Sequence, residues 1–227
     1  VGNPYLEPFE ADTFDISLEW YLNDAGMLQG GLFYKDINSF ISNGVTEDVP
    51  VEIDGEIVFF DATGPINGDG GTVKGFEIAY QQVFSSLPGF WGGFGTQINY
   101  TYTDSDVSIP YFEGGQTYSM PLEGLSEDSM NFVLFWENDT FSVRGAYNYR
   151  DSFLSNRSNT QGNPVFTDTY GQFDLSANWS ITDHFTLSVA GINLNDEARY
   201  QYFLTPDRML AHRASGKRYS VTLRARF

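Results

Sequence analysis

Nine segments of the chain read as strands and most of them alternate apolar and polar side chains, though Val133 and Phe135 make the second face of the fifth less polar; most of their polar residues carry no charge. Gly95 to Thr103 does so without a slip. Thr96, Ile98, Tyr100 and Tyr102 point one way; Gly95, Gln97, Asn99, Thr101 and Thr103 point the other. Successive side chains of a strand face opposite sides, so this is a strand with one apolar and one polar face. The water-facing side of a soluble sheet would more usually carry Lys and Glu.

The segments run Thr13 to Tyr21, Met27 to Ile37, Val73 to Phe84, Phe94 to Thr103, Asp128 to Trp136, Thr140 to Arg150, Gly171 to Ser180, Thr186 to Leu194 and Arg218 to Phe227. The connections between them alternate strictly between short and long. Bacterial outer-membrane barrels have short periplasmic turns and long extracellular loops. Strands of about ten residues are also the length that crosses a bilayer at a tilt. The apolar faces carry Trp20, Tyr102, Trp136, Tyr149, Trp179 and Tyr219 near their ends, where an aromatic girdle belongs. A soluble β-sandwich would account for the strands, but not for the loop asymmetry or the uncharged polar faces. The pattern therefore predicts an all-β, antiparallel transmembrane barrel wall. Within the second connection Asp54-Gly55 separates two β-prone runs, which predicts a small hairpin standing in a loop.

Composition narrows the function. Hydrophobic residues make up 41% of the 227 positions and aromatics 17%, which excludes general disorder. No run of about 20 apolar residues is present, so no helix spans a membrane; a spanning strand needs no such run. The net charge of -18 argues against a nucleic-acid partner. There is no cysteine and hence no disulfide. Charge is unevenly placed: Arg199, Arg208, Arg213, Lys217, Arg218, Arg224 and Arg226 all lie near the end, whereas Lys35 is the first base. Nine antiparallel strands would leave the first and last running the same way, whereas single-chain bacterial barrels have even counts. Residues 1–227 are accordingly expected to be the C-terminal portion of a larger barrel, with earlier strands upstream.

The order of several short motifs resembles the late barrel of TonB-dependent outer-membrane receptors. They are Asn3, Pro4, Leu6 and Pro8 before the first strand, Phe33-Tyr34-Lys35-Asp36-Ile37 closing the second, Val73-Lys74-Gly75-Phe76-Glu77, Asn193-Leu194-Asn195-Asp196, and the terminal strand ending in Phe227. The resemblance covers nearly the whole chain. It implies a 22-stranded barrel, an N-terminal plug domain absent from this sequence, and coupling to the TonB-ExbB-ExbD complex through an equally absent segment. It implies energised import of a scarce or bulky nutrient: an iron-siderophore, cobalamin or an oligosaccharide. Leu87 to Ser105 looks most like a branch that often imports carbohydrate. Expected partners are outer-membrane lipid and lipopolysaccharide, the assembly machinery that reads a terminal aromatic such as Phe227, and a surface lipoprotein. A passive porin and an outer-membrane enzyme are the competing classes, since a barrel alone suits all three.

No catalytic constellation, cofactor motif or metal set stands out. His184 falls in a short turn and His212 in a loop, where a solvated histidine is the ordinary reading. Asn67-Gly68-Asp69-Gly70-Gly71 has the flavour of a calcium loop but lacks the closing Glu, and reads as a flexible turn. The loops offer Phe59, Phe60, Tyr111, Phe112, Tyr118, Tyr200, Tyr202 and Phe203 as flat surfaces that would stack on sugar rings or aromatic siderophores, or else pack loops together. Arg144, Arg150, Arg218, Arg224 and Arg226 lie on polar faces, to pair with plug acids or line a polar path, with Arg224 and Arg226 assigned to the plug. Glu47, Asp48, Glu52, Asp54 and Glu56 would repel anions, bind cations that bridge lipopolysaccharide, or simply be solvated.

Overall fold

The computed structural model describes residues 3–68, 70–110, 117–157 and 163–226. Among them the regular elements are all strands apart from one 3₁₀ turn at Gly89–Gly93. In chain order the strands are β1 (Glu10–Asn23), β2 (Gly26–Ile53), β3 (Glu56–Gly68), β4 (Gly71–Val83), β5 (Phe94–Pro110), β6 (Thr117–Met120), β7 (Asp128–Glu137) and β8 (Phe141–Arg150). There follow β9 (Phe153–Asn156), β10 (Val165–Thr167), β11 (Tyr170–Thr182), β12 (Phe185–Ile192), β13 (Ala198–Phe203), β14 (Met209–Ala214) and β15 (Arg218–Ala225).

The main sheet runs β1-β2-β4-β5-β7-β8-β11-β12-β15, with β3 paired to β2 and β6 to β5. These nine members are the nine alternating segments, in order. Every pairing from β5 through β15 is antiparallel. The sheet is open, with β1 and β15 at its edges.

Two expectations need correction. The second strand does not stop near Ile37, and the Asp54-Gly55 hairpin does not stand alone in a loop. Strand β2 continues to Ile53 and pairs with β3 from Phe40↔Gly68 to Ile53↔Glu56. The backbone groups beyond Ile37 thus have ladder partners, which a free loop would leave to water. Asp54 (φ 52) and Gly55 (φ 85) both turn through the left-handed region, as a two-residue hairpin turn of the primed type requires. The second correction is that stretches read as loop contain β6, β9, β10, β13 and β14. Their runs of three to six residues are too short for alternation to stand out.

Two compact units emerge. The first comprises Val1–Asp15, Phe33–Gly75 and Asp104–Leu122. It has a conventional core: Ile37, Phe40, Ile66, Val73 and Val107 are buried. Asn67 ties it together, its amide donating to Ser39 Oγ and to the Glu7 carbonyl (both 3.0 Å) and accepting from the Glu7 N–H (2.9 Å). Lys74 and Asp104 form an exposed ion pair at 3.2 Å. The acids of the hairpin, Glu47, Asp48, Glu52, Asp54 and Glu56, are all exposed.

The second unit comprises Ile16–Leu32, Phe76–Thr103 and Glu123–Phe227. Here the large apolar side chains lie outside. Leu18 is 74% exposed, Leu32 60%, Val221 71% and Leu223 63%. Register gathers them into rows across strands, such as Ala177–Val189–Val221 and Trp179–Leu187–Leu223. Burying such side chains is worth about 1.5–3 kcal/mol each, so a face this apolar belongs against hydrocarbon. The opposite face carries small polar residues in matching rows. In the row Ser142–Asn178–Ser188–Thr222, Asn178 donates to Ser142 Oγ (3.2 Å) and accepts from Ser188 Oγ (2.7 Å). Between the two edge strands ladder bonds satisfy the backbone, the condition for a strand to cross lipid.

Candidate functional site

In the second unit the long connections build a sheet of their own, ordered β14-β13-β10-β9. Strand β13 alternates through Arg199, Tyr200, Gln201, Tyr202 and Phe203, so Tyr200 and Tyr202 share one face while Arg199, Gln201 and Phe203 share the other. On the tyrosine face, Tyr200 lies opposite His212 and stacks on it at 4.6 Å between ring centroids. Tyr202 lies opposite Phe166 and stacks on it at 5.5 Å. Both pairs are within 17° of parallel. Tyr202 also hydrogen-bonds Ser152, and burial followed by the Asp168 and Asp151 charges raises its pKa above the ordinary tyrosine value, with the Ser152 bond opposing. Asp151 is itself held by the Ser152 N–H (2.7 Å) and Thr169 Oγ1 (2.8 Å).

The other face of β13 is cationic. Arg199 lies directly opposite Arg213. Like charges so placed destabilise a sheet unless something compensates. Part of the compensation is the Tyr170 ring, which lies 4.8 Å beneath the Arg199 guanidinium. Tyr170 belongs to the polar face of β11, donating from its hydroxyl to Gln172 (2.6 Å), which donates on to Asp174 (2.7 Å). Arg199 therefore sits on the same side of the wall as the small polar rows.

The connections that hold this sheet converge on Asn193, which is 1% exposed and takes a φ of 58°. Its N–H donates to Asp174 (2.8 Å), its side chain donates to the Glu197 carbonyl (2.9 Å) and the Gly216 carbonyl (3.3 Å), and its side-chain oxygen accepts from the Glu197 N–H (2.8 Å). Asn195 adds bonds to two backbone groups of β11, the Gly171 carbonyl (2.6 Å) and the Phe173 N–H (2.9 Å).

The expected residues fall in several places. Tyr200 and Tyr202 come together on one face; Phe203 turns to the other. Phe59 and Phe60 belong to the first unit, where they are exposed on opposite faces of β3. Tyr111, Phe112 and Phe227 lie outside the described residues, as does the side chain of Tyr118, which β6 places opposite Ile109. Of the arginines, Arg144 stands on the polar face opposite Ser176, Arg218 opposite Ile192 and Arg224 opposite Thr186. Arg218 is at the long-loop end of β15 and Arg224 at the short-turn end. Arg226 joins the short turn through backbone bonds with His184. Arg150 is engaged by its own chain, with Nε on Ser126 Oγ (2.7 Å), Nη2 on the Gly124 carbonyl and the guanidinium 3.8 Å over Phe153.

Sequence reasoning missed Phe166, Tyr170, Arg199, Arg213 and the stacking role of His212. The signal present was the alternation Arg199-Tyr200-Gln201-Tyr202 facing His212-Arg213 in reverse order. In the Asn67–Gly71 stretch, Asn67 is committed to Ser39 and Glu7, and Gly70 takes a φ of 92° with the Ile37 carbonyl against the space a Cβ would fill. That is a turn glycine rather than part of a ligand shell. Among the described residues no group of three or more His, Asp or Glu is placed to hold a metal ion.

A model of the TonB-dependent receptor-like β-barrel matches residues 1–194. The chain belongs to that family. Its barrels are outer-membrane proteins, which sets the exposed apolar rows against lipid and makes the chain part of a receptor rather than an enzyme. Solved structures share the fold at low identity. The ferric-catecholate import receptor Fiu of E. coli K12 is 19% identical with a TM-score of 0.64, covering 97% of this chain and 28% of that one. The siderophore receptor PiuA of Acinetobacter baumannii is 18% identical with a TM-score of 0.61, covering 95% and 28%. The ferric enterobactin receptor PfeA of Pseudomonas aeruginosa is 14% identical with a TM-score of 0.63, covering 96% and 31%. The chain thus spans about a third or less of these receptors. No curated protein matches it.

Proposed function

We propose that the chain is the late barrel of an active-transport receptor that imports a ferric siderophore of catecholate type, energised through TonB-ExbB-ExbD. Family membership supports the class, and the names of the similar structures support the ligand. The observation that carries the choice of ligand is the β13–β14 pair, where Arg199 and Arg213 stand side by side on a chain of net charge -18. A ferric tris-catecholate is anionic, so it would relieve the charge repulsion between them. Cobalamin and a neutral oligosaccharide have no such use for two opposed guanidinium groups.

In this reading an upstream plug domain fills the lumen, and Arg224 and Arg226 at the short-turn end pair with its acids. Arg144 and Arg218 line the polar wall above them, while Arg150 braces the loop it already binds. Phe227 serves as the assembly signal. The test is binding of a ferric catecholate to the receptor in detergent, followed by fluorescence quenching. Replacing Arg199 and Arg213 together by Gln should weaken binding at least tenfold while leaving the folded fraction unchanged. Equal affinity in that variant, or saturable binding of cobalamin or an oligosaccharide in place of the catecholate, would overturn the ligand assignment.

A further inference from the structure

The lipid-facing wall of the second unit has a gap at Gly30. Gly30 lies on the apolar face of β2 between Leu28 and Leu32, and a Cβ added to it would meet nothing within 4 Å. Ile16 and Leu18 on one side, and Phe76 and Ile78 on the other, complete a groove of about 400 Å³ around it with Leu32. A glycine inside a strand weakens it, and is found where the chain must turn, bulge or let something approach closely. Among the described residues nothing lies within 4 Å of where a Cβ of Gly30 would stand, and its φ is not in the left-handed region. The residue is therefore small for the sake of something outside the chain.

We infer that this groove holds one acyl chain of an inner-leaflet phospholipid as a fixed structural lipid. The lining is continuous with the exposed apolar rows that face hydrocarbon, and its rim residues Leu18 and Leu32 are themselves well exposed. Depth sets the leaflet. Gly30 is four residues from the short turn at Gly26, ~14 Å along the strand, which at a barrel strand's tilt is ~10 Å of depth. Short turns are periplasmic in such barrels, and the periplasmic leaflet is phospholipid. Size sets the occupant. An apolar cavity of ~150 Å³ takes up benzene, so this groove accepts a chain segment several carbons longer. A second protein copy would need roughly 1,200 Å² of buried surface, far more than a notch three strands wide supplies.

The experiment is native mass spectrometry of the receptor purified from outer membranes, with detergent raised until loosely held lipid is stripped. Wild type should retain one phospholipid per chain. Gly30→Leu fills the groove from within, its Cβ meeting no atom within 4 Å, and should retain none or bind added phosphatidylethanolamine at least tenfold more weakly. Ile78→Ser, which makes the groove wall polar, should lose it as well. Ala177→Leu, on the same face but remote, should behave as wild type. Equal retention by wild type and both groove variants overturns the proposal. So does a retained lipopolysaccharide in place of phospholipid, or a dimer mass that Gly30→Leu abolishes.

Discussion

The two ends of the second unit's strands are built on different principles. At the short turns the bonds that close the turn are local. Asn138 Oδ1 accepts from the Thr140 and Phe141 N–H groups (3.0 and 2.7 Å), Asn23 Oδ1 from Ala25 (2.9 Å), and Thr182 Oγ1 from His184 and Phe185 (3.2 and 3.1 Å). All four tryptophans, Trp20, Trp91, Trp136 and Trp179, lie at this end. Three of the connections are bare turns; the fourth, with its 3₁₀ turn, carries a ring cluster of Phe90, Trp91, Phe94, Trp136 and Phe141. At the long-loop end the bonds reach far along the chain, and they converge on Asn193. A short turn is closed by its own residues, even where neighbouring strands add bonds to it. A long loop is ordered only if distant segments meet, because fixing each of its residues costs about 1–2 kcal/mol of backbone entropy.

Asn193→Ala tests the difference most severely. It removes four side-chain bonds from a buried site and replaces a residue that tolerates a φ of 58° with one that does not. Unpartnered buried groups cost about 1–3 kcal/mol each, so a loss of ~3 kcal/mol is expected. Asn138→Ala, which opens one exposed turn, should cost only ~1 kcal/mol. Urea unfolding of the receptor in micelles gives both values. Limited proteolysis should cut Asn193→Ala first within 195–217, with the main sheet intact. Equal costs at the two sites would break the comparison.

Trp136→Ala probes the short-turn end. Its ring stacks on Phe90 at 4.9 Å and its indole N–H donates to the Phe90 carbonyl (2.8 Å). The cluster is partly exposed, with Phe90 60% and Trp91 59% accessible, so the cost should fall below the 3–5 kcal/mol typical of a core aromatic, at ~2 kcal/mol. The effect should remain local: thermal unfolding should shift, while ferric catecholate affinity stays within a factor of two.

The same contrast decides how much could be read beforehand. The nine wall strands were legible because alternation over ten or so residues is a signal each strand carries by itself. The short turns were legible for the same reason. The loop sheet was not. A strand such as Val165–Thr167 has only three residues, and its place depends on pairing with Phe203 to Gln201, far along the chain. Tyr200 and Tyr202 were singled out as aromatics, yet their partners His212 and Phe166 come from other segments, and no spacing rule links them. The extension of β2 was hidden differently. Phe40 to Ile53 alternates poorly because Phe40 and Ser42 are buried in the first unit, so the period that marks the wall is lost there.

The smallest expected effect concerns pH. Tyr202 has its pKa raised chiefly by burial and then by Asp168, so its neutral form is favoured in the folded loop sheet. A group whose folded pKa lies above its unfolded value lends stability that is complete below the unfolded value, about 10 for tyrosine, and is lost as pH rises through the folded one. The loop sheet should therefore loosen on the alkaline side of pH 10, when the hydroxyl that bonds Ser152 ionises next to two carboxylates. Absorbance of tyrosinate, compared between wild type and Tyr202→Phe, should show one tyrosine titrating later than the exposed ones, with protease sensitivity at 163–167 rising alongside it. Tyr202→Phe should lose that alkaline step while keeping the stack on Phe166. At the short-turn end the Tyr21 hydroxyl also donates to an acid, Glu19 (2.9 Å), but Tyr21 is 68% exposed, so that end should change less over the same range. If both ends loosen together, the two are coupled through the strands that join them, and the independence argued from their hydrogen bonds fails.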